Sequence, residues 1–395
     1  MESVWIGPQI IIGQKATGDR YYERPQIVEA IWEEIEKGNN VLIAAPRRVG
    51  KTSVMISMVS NCPENYKCIF ENIQGIKSEQ VFYKRFYELI IQCLSSFGKT
   101  KAWFKALWLE HKIDEVTLGG KVKFKDGTID YIEEINSLLP KLNDKDIKIV
   151  LFIDELPEVL HRLNKANKMA EAASILENIR RWRQDDQYKN LHLVLAGSIG
   201  IHYVVKTIEG RTTDINDFNP IPFEVLEIHE AHHYITWATQ NKATIQYDEK
   251  LSKHLLSKIQ YYVPYFINLM LDEINKKAKK NNNPKITVAD IDSAFDTIVK
   301  NSDHFKDWKN RLFDYMPISE ANFLNNILTH IAHKDIINIQ KIHDIAVAHD
   351  KTTDMMDLID ELEKDGYITE LNENYIFLSP FLKAFWKRNN PIYNV

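Results

Sequence analysis

The sequence has few cysteines, no long apolar run and no excess of positive charge. Its three cysteines, Cys62, Cys68 and Cys93, are too few and too unevenly spaced for a disulfide framework or a zinc site. No apolar run approaches the ~20 residues that a membrane span needs. The apolar triplet at residues 10–12 lacks the basic flank and the apolar core of a secretion signal. We therefore expect no membrane insertion and a location in the reducing cytoplasm.

The charge balance argues against a protein that coats nucleic acid or anionic lipid. The chain carries 50 basic and 55 acidic residues, which gives a formal net charge of −5. Its 395 residues, of which 44% are hydrophobic, suffice for two or three domains at about 150 residues each. The composition is that of a globular protein with a core of ordinary size.

Short apolar runs alternate with helical patterns in the first half of the chain. Buried parallel strands have nearly continuous apolar sequences, and four runs fit: residues 41–44, 67–73, 147–153 and 191–196. Helices are predicted at residues 26–37, 79–96 and 129–139, and a hairpin with Gly119-Gly120 at its turn at residues 116–124. Strands that alternate with helices predict an α/β fold with a mostly parallel sheet and helices on both faces.

The second half of the chain is predicted to be mainly helical. Residues 229–300 have the pattern of four helices, and Thr287 with Asp290 is a capping signal for the last of them. Helical patterns at residues 319–331, 337–347 and 353–365 precede a hairpin around Asn372, which together are typical of a winged helix. We expect four parts: an N-terminal extension (1–20), a nucleotide-binding domain (21–227), a helical lid (228–312) and a winged helix (313–395).

The strongest motif is Ala45-Pro46-Arg47-Arg48-Val49-Gly50-Lys51-Thr52. It fits the phosphate-binding loop G-x-x-x-x-G-K-[ST] except at Ala45, and it follows an apolar strand and opens a helix. Backbone amides at such a helix N-terminus bind phosphate, Lys51 adds positive charge, and the Thr52 hydroxyl is a ligand for Mg²⁺. If Ala45 needs a positive φ, alanine costs on the order of 1 kcal/mol there.

A second motif, Asp154-Glu155, ends the apolar run at residues 149–153. Ligands bind at the carboxyl ends of strands in open α/β sheets. Asp154 is therefore predicted to hold Mg²⁺ and Glu155 to polarise an attacking water. A solvated strand end is the alternative for this pair alone, but the phosphate loop upstream favours the catalytic interpretation.

Together, Arg24, the string Pro46-Arg47-Arg48-Val49-Gly50-Lys51-Thr52-Ser53, Asp154-Glu155 and Gly197-Ser198 resemble the archaeal-type ATPase family. That family belongs to the STAND branch of P-loop ATPases, which is related to AAA+ proteins. The resemblance implies an enzyme that binds ATP and Mg²⁺ and hydrolyses ATP slowly or under regulation. It also implies a nucleotide-dependent switch that engages a protein partner, with homo-oligomerisation as a further option.

The resemblance also assigns individual residues. It implies nucleotide contacts from residues 46–53, adenine contacts from Tyr22 and Arg24, and an approach of Pro264 to the nucleotide. A further strand should lie between the phosphate-loop strand and the Asp-Glu strand, with Ser198 at its tip as a third catalytic candidate beside Lys51 and Glu155. The alternative for Ser198 is a helix N-cap. Residues 215–222 lack the arginine that related proteins often carry after Gly-Ser.

Three other patterns imitate functional motifs. His229-Glu230-Ala231-His232-His233 fits the zinc motif H-E-x-x-H, but no third ligand is evident, so an exposed helix start is favoured. Residues 196–200 resemble a nucleophile elbow without an acid and histidine in the matching order. The lysines of residues 276–280 end a helix, where they suit its dipole, although phosphate binding is the alternative.

The predicted third helix of the winged helix, residues 352–366, carries six acidic residues and one lysine. Phosphates repel such a surface, since DNA affinity depends on basic side chains. Protein docking or autoinhibition is therefore favoured over DNA binding. Two alternative functions stay open: a DNA-binding AAA+ relative, with residues 180–183 and 276–280 as its basic regions, and a small-molecule kinase, which the adjacent Asp154-Glu155 disfavours.

Overall fold

The computed structural model describes residues 4–95, 113–116, 122–124, 129–143, 146–197, 200–240 and 243–393. The chain divides into two compact units. The sheet unit comprises Glu23–Ala44 and Lys51–Phe223, and the helical unit comprises Met1–Tyr22, Ala45–Gly50 and Glu224–Val395. The division falls inside the predicted phosphate loop, whereas the four-part division expected from the sequence stays a prediction.

The sheet unit contains a five-stranded parallel sheet. Its secondary structure in chain order is α1 (Pro25–Glu36), β1 (Val41–Ala44), α2 (Lys51–Ser60), β2 (Tyr66–Asn72), α3 (Glu79–Ser95), β3 (Ile113–Val116), β4 (Val122–Phe124), α4 (Tyr131–Leu138), α5 (Pro140–Asn143), β5 (Lys148–Asp154), α6 (Leu156–Lys165), α7 (Met169–Gln184), β6 (Leu191–Gly197), α8 (Ile201–Glu209) and β7 (Asn219–Pro220). The strand order is β2-β5-β6-β1-β7. The predicted α/β fold class is confirmed.

The central strands form the core of this unit because their apolar side chains are buried on both faces. All residues of β6, and all of β5 except Lys148, are buried. β6 lies between β1 and β5, as the family resemblance implies. Its register sets Gly197 opposite Ala44 and Ala196 opposite Asp154, so the ends of three strands meet at one edge of the sheet.

Two features of the sheet unit do not follow from the sequence patterns. β7 has only two residues, and it pairs with β1 through the amides of Asn219 and Ile221, which donate to the carbonyls of Asn40 and Leu42 at 2.8 and 3.0 Å. Pro220 has no amide hydrogen and lies in this edge strand, where proline is tolerated. So short a strand has no alternating pattern to detect.

The second feature is a disulfide between Cys62, in the turn after α2, and Cys68, within β2. The Cα atoms of the two residues lie 5.9 Å apart, a normal separation for this bond. Cysteine spacing alone does not predict the pair, because it depends on the helix-to-strand turn that folds these residues together. Cys93 is free and buried.

An antiparallel pair, β3 and β4, is present at the predicted hairpin of residues 116–124, but its first strand begins earlier, at Ile113. Gly119-Gly120, the predicted turn, lies outside the described residues.

The helical unit begins with the four helices expected from the sequence. They are α9 (Ile228–Thr239), α10 (Glu249–Ile259), α11 (Pro264–Lys280) and α12 (Val288–Lys300). The predicted cap of α12 is a capping box in which the side chains of Thr287 and Asp290 each accept a hydrogen bond from the other's backbone amide. One further helix that the patterns did not separate, α13 (Lys306–Tyr315), follows. No described helix is long and apolar enough to cross a bilayer.

The C-terminal part has three helices, a hairpin and a final helix. Its elements are α14 (Ile318–Lys334), β8 (Ile337–Asn338), α15 (Ile339–Ala348), α16 (Met355–Lys364), β9 (Ile368–Leu371), β10 (Asn374–Phe377) and α17 (Pro380–Asn389). The three strands form a sheet in the order β8-β10-β9. This arrangement agrees with the elements expected from the sequence, and its assignment as a winged helix stays a prediction.

Candidate functional site

The phosphate-loop helix and the Asp-Glu strand meet in the sheet unit through one hydrogen bond. Lys51 is the first residue of α2 and is only 6% exposed. The hydroxyl of Thr52, the next residue, donates to Oδ2 of Asp154 at 2.6 Å. The structure thus brings together a lysine, a hydroxyl and a carboxylate from segments about 100 residues apart, at the N-terminus of a helix where anions bind.

The carboxylate of Asp154 is almost fully buried, with 2% of the residue exposed. Burial raises its pKa to about 6, and the neighbouring Glu155 carboxylate adds to the rise. The hydrogen bond from Thr52 and the positive charge of Lys51 act in the opposite direction. A buried carboxylate is costly without a compensating charge, and Lys51 supplies positive charge here.

Glu155 adopts a backbone conformation that is uncommon for a residue with a side chain. Its φ of 66° and ψ of 31° are left-handed, and it is the N-cap of α6. Its amide donates to the carbonyl of Ala196 at 2.8 Å, which ties the end of β5 to β6. Left-handed non-glycine residues cluster at functional sites, so the geometry supports a specific role for this carboxylate.

The end of β6 is shaped by a close approach to α6. A Cβ atom added to Gly197 would lie 2.5 Å from Cγ and 2.7 Å from Cδ of Pro157. Glycine is therefore required at this strand end by packing. Ser198, the candidate that follows it, lies outside the described residues, so its predicted role stays untested.

Sequence reasoning did not single out Asn72, which ends β2 directly opposite Asp154. Its side-chain oxygen accepts a hydrogen bond from the amide of Gln74 at 3.0 Å. A polar residue at the end of a strand is the signal that would have identified it as a member of this sheet edge.

Residues Ala45–Gly50 of the phosphate loop belong to the helical unit, and their neighbours differ from those of Lys51 and Thr52. Arg48 has a φ of 65° and Gly50 a φ of 111°, whereas Ala45 is not among the residues with positive φ, so alanine is unstrained there. Arg47 Nη1 and Arg48 Nη2 each lie 3.6 Å from Oδ2 of Asp307 in α13. The two arginines, predicted to contact nucleotide, are thus ion-paired within the helical unit.

The three other nucleotide-binding candidates of residues 46–53 have different surroundings. Val49 is buried at 2% exposure, and Ser53, in the first turn of α2, is half-buried. Pro46 packs against Gly366, because a Cβ added to Gly366 would lie 2.6 Å from Cγ of Pro46. The loop therefore has close neighbours far downstream in the sequence.

The predicted adenine-contacting residues fall in different units. Tyr22 belongs to the helical unit, where its hydroxyl lies 2.8 Å from Nδ1 of His233 and its ring contacts Trp237. Arg24 belongs to the sheet unit, is buried, and its guanidinium lies 5.9 Å from the ring centroid of Phe223. Pro264 begins α11 in the helical unit. Their assignment to a nucleotide stays a prediction.

The zinc-like motif lies at the start of α9, where its two spaced histidines have different partners. His229 Nδ1 lies 3.1 Å from a carboxylate oxygen of Glu227, and His233 contacts Tyr22. Within the described part of the chain no group of three potential metal-ligating side chains occurs.

The arginines of residues 180–183 do not form a free basic face. Arg180 pairs with Asp214 at 3.0 Å, and Arg183 pairs with Asp217 at 2.6 Å, with none of the Arg183 side chain exposed. The Arg183 guanidinium also lies 3.9 Å from the ring centroid of Phe218. Two of the three arginines therefore hold α7 to residues 214–218.

The parallel sheet, the loop between β1 and α2, and the carboxylates at the end of β5 together define the fold of P-loop ATPases. The model of the AAA-like domain family matches residues 13–297. The chain therefore belongs to the AAA-like domain family.

One solved structure agrees with this assignment at the level of the fold. The Walker-type ATPase of Pyrococcus abyssi is similar over 94% of this chain and 98% of its own, with a TM-score of 0.56 and 14% identity. The ORC2 protein of Aeropyrum pernix is similar over 92% of each chain, with a TM-score of 0.49 and 11% identity. No curated protein matches the sequence.

Proposed function

We propose that this protein binds Mg-ATP, hydrolyses it slowly or under regulation, and acts as a nucleotide-dependent switch on a protein partner. The observation that carries the proposal is the hydrogen bond between Thr52 and Asp154, directly after the buried Lys51. This combination supplies positive charge and oxygen ligands at a helix N-terminus, which suits a nucleotide phosphate and its metal ion.

The donor set fits magnesium. Mg²⁺ prefers oxygen ligands and is usually held by one or two carboxylates together with substrate phosphates. Thr52 and Asp154 would hold it, and their oxygens already lie 2.6 Å apart. A bound Mg²⁺ neutralises negative charge on the phosphates.

The other roles belong to side chains and amides of the chain itself. Lys51 and the amides at the start of α2 would bind the phosphates, and Glu155 would orient water and accept its proton. Ser198 is proposed to touch the terminal phosphate. Tyr22, Arg24 and Pro264 are proposed to bind the nucleoside, while the side chain of Arg48 has the different role described below.

The distribution of charge supports a protein partner over DNA. Asp357 and Asp360 are exposed on α16, although Glu361 of the same helix is buried, with a raised pKa caused by that burial. DNA binding needs basic side chains that are free to neutralise phosphates. Lys276, in the remaining basic segment, pairs with Asp272 at 2.6 Å.

Isothermal titration with Mg-ATP tests the proposal. Lys51→Ala should weaken ATP binding at least roughly thirtyfold, since truncating one partner of a buried charge pair costs about 2–5 kcal/mol. Lys84→Ala is the matched control, because Lys84 is exposed on α3. Circular dichroism would establish that both variants are folded. Unchanged ATP affinity in a folded Lys51→Ala variant would remove the basis of the assignment.

A further inference from the structure

The two arginines of the phosphate loop lie against a group of residues that we call the arginine cradle: Tyr265, Asp307 and Trp308. The guanidinium carbon of Arg48 lies 4.0 Å from the ring centroid of Tyr265 and 5.7 Å from that of Trp308. Asp307 faces both Arg47 and Arg48 at 3.6 Å. All five residues belong to the helical unit, so the cradle is a feature of one compact body.

The backbone of Arg48 explains why its side chain needs such support. Its φ of 65° is left-handed, a conformation that is strained for a residue with a Cβ atom. Gly50, two residues later, also has a positive φ. Turns of this kind direct successive backbone amides to one side and form concave anion sites. The shape of the loop as a phosphate receptor therefore depends on Arg48 keeping its left-handed turn.

The cradle is rigid enough to hold that turn. Tyr265 and Trp308 are each 5% exposed, and Trp308 stacks on Phe266 with ring centroids 5.9 Å apart. A guanidinium over aromatic faces is attracted by the rings, more strongly where water is excluded. The Asp307 ion pairs are half-exposed and weak by themselves. The stacked aromatic rings therefore fix the guanidinium, and Asp307 adds orientation.

We propose that Tyr265, Asp307 and Trp308 are positioning residues for the phosphate loop, acting through the side chain of Arg48. They hold the loop in the conformation that receives phosphate before any nucleotide arrives. The inference rests on the proposed ATP binding and adds α13, far downstream in the sequence, to the determinants of affinity. It also assigns Arg48 a conformational role in place of a direct phosphate contact.

The first test measures, in the absence of nucleotide, how well the backbone amides of the phosphate loop are protected from hydrogen exchange. In Asp307→Ala and in Tyr265→Leu, hydrogen–deuterium exchange of a peptide that spans residues 44–51 should become faster than in the wild-type chain. Asp303→Ala is the matched control, since Asp303 is an exposed aspartate just before α13 whose carboxylate pairs with Lys306 at 2.6 Å. Exchange at residues 44–51 that is the same in Asp307→Ala and in the control would overturn the proposal.

The second test measures ATP affinity by isothermal titration. Asp307→Ala and Tyr265→Leu should each weaken binding by roughly 5- to 30-fold, the factor that corresponds to a loss of one or two kcal/mol. Asp303→Ala should bind as the wild type does. If the cradle instead competed with phosphate for the arginines, Asp307→Ala would bind ATP more tightly, and the positioning role would be wrong.

The Arg48→Gly substitution provides the rescue that separates positioning from general stability. Glycine adopts a φ of 65° without strain, so Arg48→Gly makes the turn independent of the cradle. Adding Asp307→Ala to Arg48→Gly should then cost no further affinity and no further protection from exchange. If Asp307→Ala weakened ATP binding in the Arg48→Gly variant as much as it does in the wild-type chain, the proposal would be wrong. If the wild-type chain bound no ATP while the exchange pattern held, the proposed function would fail and the positioning of the loop would stand.

Discussion

The two halves of the phosphate-loop motif differ in surroundings. Lys51 and Thr52 lie in the sheet unit beside a buried carboxylate, where charges interact strongly because water is excluded. Arg47 and Arg48 lie in the helical unit beside a half-exposed carboxylate and, for Arg48, two aromatic rings. The difference indicates that one half of the motif serves ligand chemistry and the other half serves loop conformation.

The largest expected effect concerns Glu155, which follows the buried Asp154 beside Lys51 and Thr52. Glu155→Gln should lower ATP turnover by about 10²–10⁴-fold, the contribution of a positioned general base, because an amide is a poor proton acceptor. ATP affinity should change less than twofold, since the amide has nearly the same shape. A steady-state phosphate-release assay, with isothermal titration of the same sample, checks both. Turnover equal to that of the wild type would show that Glu155 does not activate water.

A smaller effect is expected from packing at the same sheet edge. Gly197→Ala should lower the free energy of unfolding by about 1–3 kcal/mol, the usual cost of overpacking, because the new methyl group would meet Pro157. Gly75→Ala is the control, since a Cβ at Gly75 would meet nothing within 4 Å. Urea unfolding of the two variants gives the comparison. Equal stability would mean that α6 shifts at little cost.

The smallest effect contrasts two of the left-handed residues, Glu155 and Arg48. Glu155→Gly should stabilise the protein by roughly 0.5–1 kcal/mol, because relief of left-handed strain (about 1–2 kcal/mol) exceeds the entropy cost of glycine (about 0.5–1 kcal/mol). Arg48→Gly obtains the same relief but loses the contact with Tyr265, worth about 0.5–2 kcal/mol. We therefore expect no gain in thermal unfolding temperature for Arg48→Gly. A gain as large as that of Glu155→Gly would mean that the cradle contributes nothing to stability.

Local patterns were enough to predict the main elements. The apolar runs of β1, β2, β5 and β6, the four helices of residues 228–300 and the Thr287 capping box are all present. Such features depend on side-chain periodicity and on contacts a few residues apart, which a single sequence displays. The order of β6 between β1 and β5 came instead from the family resemblance, not from local patterns.

The charged residues differ in exposure in a way that the sequence does not show. Arg180 and Arg183 are basic in sequence, yet both are paired with aspartates of residues 214–217. Glu361 contributes to the acidic count of α16 but is buried. The sequence alone does not show whether a charged side chain faces solvent or is paired with another residue of the chain, because that depends on which helix face packs inward.

The sequence by itself determined the α/β fold of the first half, the phosphate-loop motif and the presence of two adjacent carboxylates at the end of β5. Only the tertiary structure decided that Thr52 bonds to Asp154, that Glu155 is left-handed, and that Arg48 stacks on Tyr265. The first group follows from local periodicity and spacing. The second group depends on contacts between segments far apart in the chain, and those distances are set by how whole elements pack.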